Sequence, residues 1–322
     1  MHVTRLLAAS AAAVTALAVP AAVGAAPATT VIKPGTLPQG ADVALPHLEG
    51  KTVVDGDVRI RVRAGIVRLL GRSGTSYVVS TTDKQDAHGR LLTLAPDGTR
   101  TVLARGDLYE ARLSSDGQTV FATAYRSRSS VVTAWDVASG DVVVSRKFRG
   151  FPSVLDARGD VALLGLWGRG TLSWDLATDE LTRLTKRVGG SASLEEDLLS
   201  SYTADPYEGG CTVVSRISDT GDDLWKSCVE RVESFAPGGR RMVTVHILSD
   251  GIGPNQATLR TVGGRLVNRY RVDGWFGALR FETPKALLLE TNGKRQATTV
   301  RCVRSDCERA EDLRPAETPR AG

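Results

Sequence analysis

The sequence is poor in the residues that most often carry catalytic or metal chemistry. Its 322 residues include 4 His, 4 Cys and 2 Met, and aromatic residues make up 5%. The histidines stand far apart, at positions 2, 47, 88 and 246, and no C-x-x-C spacing occurs. These absences speak against a zinc site of the usual spacing. We therefore expect neither a metal nor a cofactor.

Short motifs of catalytic loops are missing as well. No G-x-S-x-G is present, and Gly-rich spots such as Gly189-Gly190 do not open helices, which speaks against a phosphate-binding loop. A Ser-His-Asp triad stays open, because its members need not be neighbours in the sequence. The carboxylates at 195–197 fall in a predicted tight turn, where we interpret them as solvated. An enzyme is thus an alternative and not the expectation.

A long apolar run is also missing beyond the N-terminus. The apolar stretch 6–19 follows a short basic start with Arg5 and precedes Pro20 and a small-residue motif at 23–25. About fourteen apolar residues are too few to span a bilayer. The pattern predicts a secretory signal peptide over residues 1–25, cleaved near Ala25. We expect a secreted or extracytoplasmic protein without a transmembrane segment.

The composition otherwise fits an exported globular protein. Hydrophobic residues make up 42% of the chain, which suffices for a core, and the formal net charge is +5. Outside the cell this charge favours anionic envelope polymers or membrane surfaces, so we expect no nucleic acid partner. A general bias towards Arg is the alternative explanation. The four cysteines fit an oxidising compartment and allow three pairings.

A repeat of strands and turns dominates the rest of the chain. Turn signals recur about every forty residues, at 72–74, 115–117, 157–159, 195–197, 237–239 and 282–284. An apolar strand, a loop and another strand follow each signal, and a second tight turn leads to a fourth strand. Nowhere do apolar residues keep a helical period over twelve positions. The pattern predicts an all-β protein, a β-propeller of six to seven four-stranded blades. A pair of β-sandwiches is the alternative.

The predicted domain boundaries follow from composition. Residues 26–50 contain several prolines among Ala, Thr and Gly, which predicts an extended linker. We assign residues 51–313 to a single propeller domain and 314–322 to a disordered tail. The hairpin at 51–62, with Asp55-Gly56 in its turn, is predicted to belong to a seventh, incomplete blade. Joining the two chain ends in one sheet would close the ring and hide open strand edges, but the sequence leaves open how the ring closes.

The clearest unit of the repeat covers residues 113–148. An Asp-Gly pair stands in its first turn at 116–117, and Trp-Asp pairs at 135–136 and 174–175 end the third strands of two successive units. The stretch 181–185 then reads Leu-Thr-Arg-Leu-Thr. Over roughly residues 65–313 these features resemble WD40-like repeats and the repeats of TolB-type exported propellers. The Gly-His dipeptide of WD40 repeats is missing. The resemblance implies the fold, and no family binding site is transferred.

The predicted blades pair the cysteines. Cys211 starts a third strand and Cys228 ends the fourth, so the two face each other across an antiparallel pair. Cys302 and Cys307 flank the next equivalent turn in the same way. Directly opposed residues match disulfide geometry. We predict the disulfides Cys211–Cys228 and Cys302–Cys307.

One end of the predicted propeller is a candidate binding face. The second-to-third loops and the connections between blades share this end, and they are longer than the turns at the opposite end. Rigid aromatics together with Arg often anchor interfaces. The candidate residues are Tyr125, Arg126, Arg128, Arg149, Trp167, Arg169, Tyr202, Tyr207, Trp275 and Phe276. The alternative is that the aromatics cap the core and the arginines are solvated.

These observations predict a binding or scaffolding module. The expected partner is a protein or a cell-envelope polymer, and we expect a monomer. The alternative function is a propeller-fold hydrolase or lyase acting on glycans or lactones, which rests on fold analogy alone. Trp135 and Trp174 end equivalent strands, so we predict that both are structural and buried between blades.

Overall fold

Seven small sheets surround a common axis in the computed structural model, which describes residues 28–317. Six of these sheets contain four antiparallel strands that follow one another from the inner to the outer edge. The β-propeller prediction is therefore confirmed, with seven blades. The predicted signal peptide lies outside the described residues. Within the described range, no helix is long and apolar enough to cross a membrane.

The strands follow the chain from blade to blade. The chain begins with β1 (Ala28–Ile32) and a 3₁₀ turn (Pro34–Thr36). The first blade contains β2 (His47–Glu49), β3 (Thr52–Asp55) and β4 (Val58–Arg61). The second contains β5 (Ile66–Ser73), β6 (Ser76–Thr82), β7 (Gly89–Leu94) and β8 (Arg100–Gly106). The third contains β9 (Tyr109–Leu113), β10 (Thr119–Arg126), β11 (Ser129–Asp136) and β12 (Val142–Arg149).

The later blades repeat this order. The fourth blade contains β13 (Ser153–Arg158), β14 (Val161–Leu166), β15 (Gly170–Asp175) and β16 (Leu181–Thr185). The fifth contains β17 (Val188–Ser193), β18 (Leu198–Tyr202), β19 (Thr212–Arg216) and β20 (Asp223–Ser227). The sixth contains β21 (Glu230–Phe235), β22 (Arg241–His246), β23 (Gln256–Thr261) and β24 (Leu266–Val272). The seventh contains β25 (Trp275–Phe281), β26 (Leu287–Asn292), β27 (Gln296–Val303) and β28 (Asp306–Arg309).

The core lies between the blades. Second strands such as β10 and β14 are buried on both faces, which is why their sequences are nearly continuous apolar runs. Phe121 and Phe148 of the third blade pack with Leu164 and Trp174 of the fourth in one buried cluster. Successive blades from the first to the seventh thus cover one another's apolar faces.

Both tryptophans of the Trp-Asp pairs lie in the core, as predicted. Trp174 is fully buried, and its Nε1 donates a hydrogen bond to Asp179 Oδ1 over 2.8 Å. Its ring meets Phe148 edge to face, with 5.8 Å between the ring centroids. Trp135 is buried between the second and third blades. The satisfied indole N–H and the aromatic contact explain why Trp fits the position of residue 174.

The cysteine pairing is also confirmed. Cys211 is bonded to Cys228 and Cys302 to Cys307, and no free cysteine is left in the described part of the chain. Each disulfide links the third and fourth strands of a blade. Cys302 and Cys307 are directly opposed in the β27–β28 pair, and Cys211 and Cys228 lie directly beyond the β19–β20 pair. The predicted phase of the blades was therefore right in both places.

The linker prediction for residues 26–50 needs correction where the structure describes it. Strand β1 pairs in parallel with β24, the outer strand of the sixth blade, and Ile32 is buried there. The chain then follows the outer edge of the seventh blade, where Gly40 N donates to Arg309 O over 2.8 Å. Residues 47–49 form β2 of the first blade. The segment is extended, but it pairs with edges that would otherwise be open. We call residues 28–46 the N-terminal strap.

The two ends of the described chain pair with different sheets. Strand β1 belongs to the sixth blade, whereas the C-terminal strand β29 (Arg314–Pro315) pairs with β27 of the seventh. The described part of the predicted tail, 314–317, is thus paired with the propeller, and residues 318–322 lie outside the described range. Three strands make up the first blade as the structure describes it.

Candidate functional site

The two ends of the propeller differ in their connections. The second-to-third loops and the connections between blades lie at one end, which we call the loop face. The first-to-second and third-to-fourth turns lie at the opposite end, which we call the turn face. All ten predicted site residues belong to loops or strand ends of the loop face. The structure decides which of their side chains reach solvent.

Six of the predicted residues are exposed, three are half-buried and one is in the core. The exposed residues are Arg126, Arg128, Arg149, Trp167, Arg169 and Tyr207. Tyr125, Tyr202 and Trp275 are half-buried. Phe276 is fully buried among the apolar residues of the sixth and seventh blades. We therefore remove Phe276 from the candidate site, because its side chain offers no surface to a ligand.

Three aromatic rings form a contiguous group where the third and fourth blades meet. The rings of Tyr109 and Tyr125 are stacked with 5.3 Å between their centroids, and Phe151 meets Tyr125 edge to face at 5.5 Å. Tyr109 and Phe151 are exposed. Burial, together with a hydrogen bond to Glu110, raises the pKa of Tyr125, so its hydroxyl stays neutral. Each ring is held by another, which fixes the group as a rigid surface.

A second aromatic pair joins the fourth and fifth blades. Trp167 and Tyr202 are stacked, with 6.3 Å between centroids and 12° between ring planes. Trp167 is 52% exposed although it is a large apolar side chain. Burial raises the pKa of Tyr202. The pair thus presents one face of the indole to solvent on a fixed support.

Exposed apolar side chains are concentrated on the loop face. The members on this face are Tyr109, Phe151, Trp167, Tyr207, Val229, Leu248 and Ile252. The remaining exposed large apolar residues of the described chain are Val31, Val102, Val142, Val143 and Val303. The second group contains no aromatic residue, and its members lie in the outer strands β1, β8 and β12 and at the end of β27. The loop face therefore carries every exposed aromatic side chain of residues 28–317.

Several of these residues could not be identified from the sequence. Val229, Leu248 and Ile252 are single apolar residues in loops, a pattern that also occurs on ordinary surfaces. Tyr109 begins a strand and therefore resembles a core position in the sequence. These residues come from different blades and meet only at the end of the propeller, so no local sequence pattern identifies them.

The loop face also carries arginines that lack acidic partners. Among the described residues, no carboxylate oxygen lies within 4.0 Å of the side-chain nitrogens of Arg128, Arg149 or Arg169. Arg126 is the exception, since it lies 3.6 Å from Asp107. Three unpaired cations beside exposed aromatics favour an acidic ligand on the side of the third and fourth blades.

The fifth and sixth blades continue the face with different chemistry. Tyr207 is 69% exposed, and its hydroxyl donates to Asp250 Oδ2 over 2.6 Å, which links the loops of two blades. This hydrogen bond raises the pKa of Tyr207. Asp205 Oδ1 accepts from the backbone N–H of Tyr207 over 2.9 Å and fixes the short 3₁₀ turn Pro206–Glu208. The Tyr207 side chain is thus held in place although solvent surrounds it.

A separate cleft of about 660 Å³ lies between the first and seventh blades, and we call it the seam cleft. His47 is 4% exposed at its wall, and its Nδ1 lies 3.0 Å from Leu45 O. Its Nε2 lies 3.8 Å from both Glu49 and Glu311. Hydrogen bonds from Arg59 lower the pKa of Glu49, whereas burial raises the pKa of Glu311. The described residues contain no group of three or more His, Cys, Asp or Glu that could hold a metal ion.

The seam cleft has no signal in the sequence. Its walls come from residues 42–69 and 278–317, which the sequence divided among linker, propeller and tail. Only the closure of the ring brings them together.

Comparisons with solved structures show the fold. No protein-family model and no curated protein matches the chain. The β-propeller domain of Cps50 (Swd1) from Myceliophteria thermophila is similar, with 10% identity and a TM-score of 0.55 over 83% of this chain and 90% of that chain. The WD40 domain of coronin from Toxoplasma gondii has 11% identity and a TM-score of 0.51 over 88% and 79%. TolB from Acinetobacter baumannii has 15% identity and a TM-score of 0.45 over 67% and 57%. The similarity to the propellers of Cps50 and coronin confirms the resemblance to WD40-like propellers as a likeness of fold.

Proposed function

We propose that this protein is an extracytoplasmic binding or scaffolding module whose loop face holds a partner protein. The observation that carries the proposal is the one-sided surface, because all exposed aromatic side chains of the described chain lie on the loop face. Contiguous exposed apolar surface commonly marks an interaction site. The turn face is built from the same repeats but has no exposed aromatic side chain among the described residues, so the repeat itself does not explain the aromatics of the loop face.

The residue types on the loop face suit a protein partner. Aromatic residues and Arg are enriched in interface cores and often contribute most of the binding energy. The stacked rings of Trp167 and Tyr202 lose little side-chain freedom on binding, because the stack already holds them. The unpaired cations of Arg128, Arg149 and Arg169 favour an acidic partner and speed up its encounter.

The proposed compartment rests on two features. Two disulfides form in the described chain, and disulfides persist in oxidising environments such as the periplasm or the exterior. The predicted signal peptide at residues 1–25 supports the same compartment. N-terminal sequencing of the exported protein tests this part, since we expect a mature chain that begins near Ala26. Retention of Met1 in exported material would contradict it.

A matched pair of triple variants tests the loop face. The loop variant is Phe151→Ala, Trp167→Ala and Arg169→Ala, which removes two exposed apolar side chains and one cation. The control variant is Val142→Ala, Arg240→Ala and Val303→Ala, which removes the same classes away from the loop face. Thermal melting first shows that both variants are fully folded at the temperature of the binding assay. Partners are then captured from extracytoplasmic fractions by cross-linking, and each is titrated against all three proteins.

We expect the loop variant to bind the captured protein at least about tenfold more weakly, while the control keeps wild-type affinity. Equal affinity of wild type and loop variant would remove the loop face from the proposal. Captured material that resists protease and is degraded by polysaccharide-cleaving enzymes would identify an envelope polymer and overturn the assignment of a protein partner.

A further inference from the structure

The first blade differs from the other six because its described residues supply only three strands. In the second to seventh blades, the first strand of each blade lies at the inner edge, and successive first strands from β5 to β25 contact one another. The first blade contributes β2, β3 and β4. One of the four strand positions of this blade is therefore open in the described chain. The contacts of the three strands with the next blade show which position it is.

Hydrogen bonds between blades identify β4 as a fourth strand. Elsewhere in the ring, a fourth strand contacts the third-to-fourth turn of the next blade; in the sixth blade, the hydroxyl of Tyr270 donates to Arg304 O over 2.7 Å. Strand β4 makes the equivalent contact, because Nη2 of Arg100 donates to Arg61 O over 2.6 Å. Arg100 directly follows the third-to-fourth turn of the second blade. Strands β2 and β3 are therefore a second and a third strand.

The directions of the strands also identify β2 and β3 as a second and a third strand. Asp55 ends β3 and accepts from the hydroxyl of Tyr77, near the start of β6, over 2.8 Å, so the β3–β4 turn lies on the turn face. Lys51, in the β2–β3 turn, donates through Nζ to Ala64 O in the next connection over 2.6 Å, on the loop face. Strand β2 thus runs from the turn face to the loop face, as second strands do. The open position is that of the first strand.

The seam cleft occupies this open position. Its walls include Leu69 of β5 and Ala278 and Arg280 of β25, the first strands of the two flanking blades. Strand β2 forms another wall, and within residues 28–317 it pairs only with β3. One edge of β2 therefore offers backbone N–H and C=O groups to the cleft. An unpaired strand edge is a template for a further strand.

Successive side chains of β2 face different surroundings, and this predicts which side chains a strand paired with β2 needs. Leu48 packs with Leu69 and the apolar cluster towards the second blade. His47 and Glu49 point to the other side, where Glu311 of the C-terminal segment lies. Successive residues of a strand face opposite sides, and cross-strand neighbours interact. An added strand therefore places one set of side chains on apolar surface and the alternate set near carboxylates.

The charges of the seam cleft favour basic side chains in that alternate set. The acidic residues at its walls are Asp42, Glu49, Glu290, Glu311, Asp312 and Glu317. The arginines are Arg59, Arg280 and Arg314. Arg59 is engaged by Glu49, and Arg314 by Glu290 and Glu317. Glu311 has no Arg within 4.0 Å in the described chain and faces the buried His47.

We propose that the first-strand position of the first blade is a binding site for an extended segment of a partner protein, which adds to β2 as a strand and alternates apolar and basic side chains. Strand addition gives affinity through backbone hydrogen bonds and specificity through alternate side chains. The site is distinct from the loop face and stands whether or not that face binds a partner.

Calorimetric titration of the purified full chain with short peptides tests the proposal. The probe is acetyl-Val-Lys-Val-Lys-Val-amide, and its charge control replaces both Lys with Glu. Two further peptides carry N-methyl groups either on the Val or on the Lys backbone nitrogens. Alternate N–H groups of a strand point to opposite edges, so only one of the two methylated peptides keeps its donors towards β2.

We expect the probe to bind, the Glu peptide to bind at least about tenfold more weakly, and one methylated peptide to bind while the other does not. Glu311→Gln should weaken the probe about tenfold, whereas Glu180→Gln, an exposed acid of the fourth blade, should leave it unchanged. Hydrogen exchange at residues 47–49 should slow when the probe is bound.

Other outcomes overturn the proposal. Equal binding of both methylated peptides would show that the cleft attracts basic groups without forming a strand. Binding only to a chain shortened after Glu317 would assign the position to residues 318–322 of this protein. Failure of the probe to bind either the full chain or the shortened chain would also contradict the proposed site.

Discussion

The fourth blade and the first blade are held in the ring by different means. The fourth blade has its four strands within residues 153–185, and it buries Leu164 and Trp174 against apolar neighbours. The first blade has three described strands, and it meets the seventh blade across a cleft with charged walls. Interfaces inside the repeat join adjacent stretches of chain, whereas the interface of the first and seventh blades joins the two ends of the chain.

This difference shows where a repeat protein needs long-range polar contacts. Inside the ring each blade contacts its neighbours in sequence, so a local pattern suffices to form each interface. At the seam, Glu282 Oε1 accepts from Ala44 N over 2.7 Å, and Arg301 donates to Ala41 O over 2.8 Å. These pairs lie 238 and 260 residues apart, and loops of that length cost more entropy to close. The buried ion pair of Arg301 and Glu282 thus anchors the N-terminal strap in addition to the apolar contacts of Ile32 and Val43.

Replacing Trp174 tests the apolar side of the comparison. Trp174→Ala removes a fully buried ring and the hydrogen bond to Asp179, so we expect the free energy of unfolding to fall by about 3–5 kcal/mol. Urea unfolding at neutral pH measures this change. An unchanged unfolding midpoint would contradict the structural role of Trp174 and the importance of apolar packing between the regular blades.

The two disulfides allow a regular blade to be compared with the last blade, because one bridge lies in the fifth blade and the other in the seventh. Cys211 and Cys228 lie 17 residues apart, and Cys302 and Cys307 lie 5 apart. From the lengths of the closed loops, removal of the first bridge should cost about 3 kcal/mol and removal of the second about 2 kcal/mol. Paired Cys→Ala variants are compared by urea unfolding. The reverse order of the two losses would show that strand β28 depends on its bridge more than loop length predicts.

Replacing Glu282 tests the polar side of the comparison. The side chain of Glu282 is 6% exposed, and its carboxylate accepts from Arg301 and from the backbone N–H of Ala44. Glu282→Gln leaves part of this buried network without partners, so we expect a loss of about 1–3 kcal/mol at neutral pH. The exposed Glu195→Gln is the control and should change stability little.

The loss at Glu282 should depend on pH. Burial alone would raise the pKa of Glu282, but the hydrogen bonds from Arg301 and Ala44 outweigh it and hold the pKa below the ordinary value of 4.5. A carboxyl group with a lowered folded-state pKa stabilises fully above its unfolded-state pKa and loses this contribution as the pH falls through the folded-state value. The gap between wild type and Glu282→Gln should therefore narrow in acid. A gap that widens in acid would show that the ion pair does not anchor the strap.

The regular blades could be predicted from the sequence because their signals are local. Apolar runs such as 120–125 and 161–166 lie between turn residues, and these runs are second strands in the structure. The cysteine pairs followed from the same phase. The N-terminal strap could not be predicted, because its pairing partners, including Asn268 and Arg309, lie more than 200 residues away in the sequence.

The candidate face could be predicted in part. Loop position identified Trp167 and Arg169, and both are exposed. The adjacent Trp275 and Phe276 were both assigned to the surface, although neighbours on a strand face opposite sides and Phe276 is in the core. The contribution of Leu248 and Ile252 depends on the arrangement of blades and has no local signal.

The smallest effect on stability is expected at the second tryptophan of the fourth blade. Trp167 lies on the loop face of the same blade that contains Trp174, and it is 52% exposed with one stacked neighbour, Tyr202. Trp167→Ala removes that stack and little burial, so we expect a loss of no more than about 1 kcal/mol in urea unfolding. Binding of the loop-face partner should fall far more than stability does. A stability loss close to that of Trp174→Ala would show that Trp167 caps the core, and it would leave the loop face without its largest exposed ring.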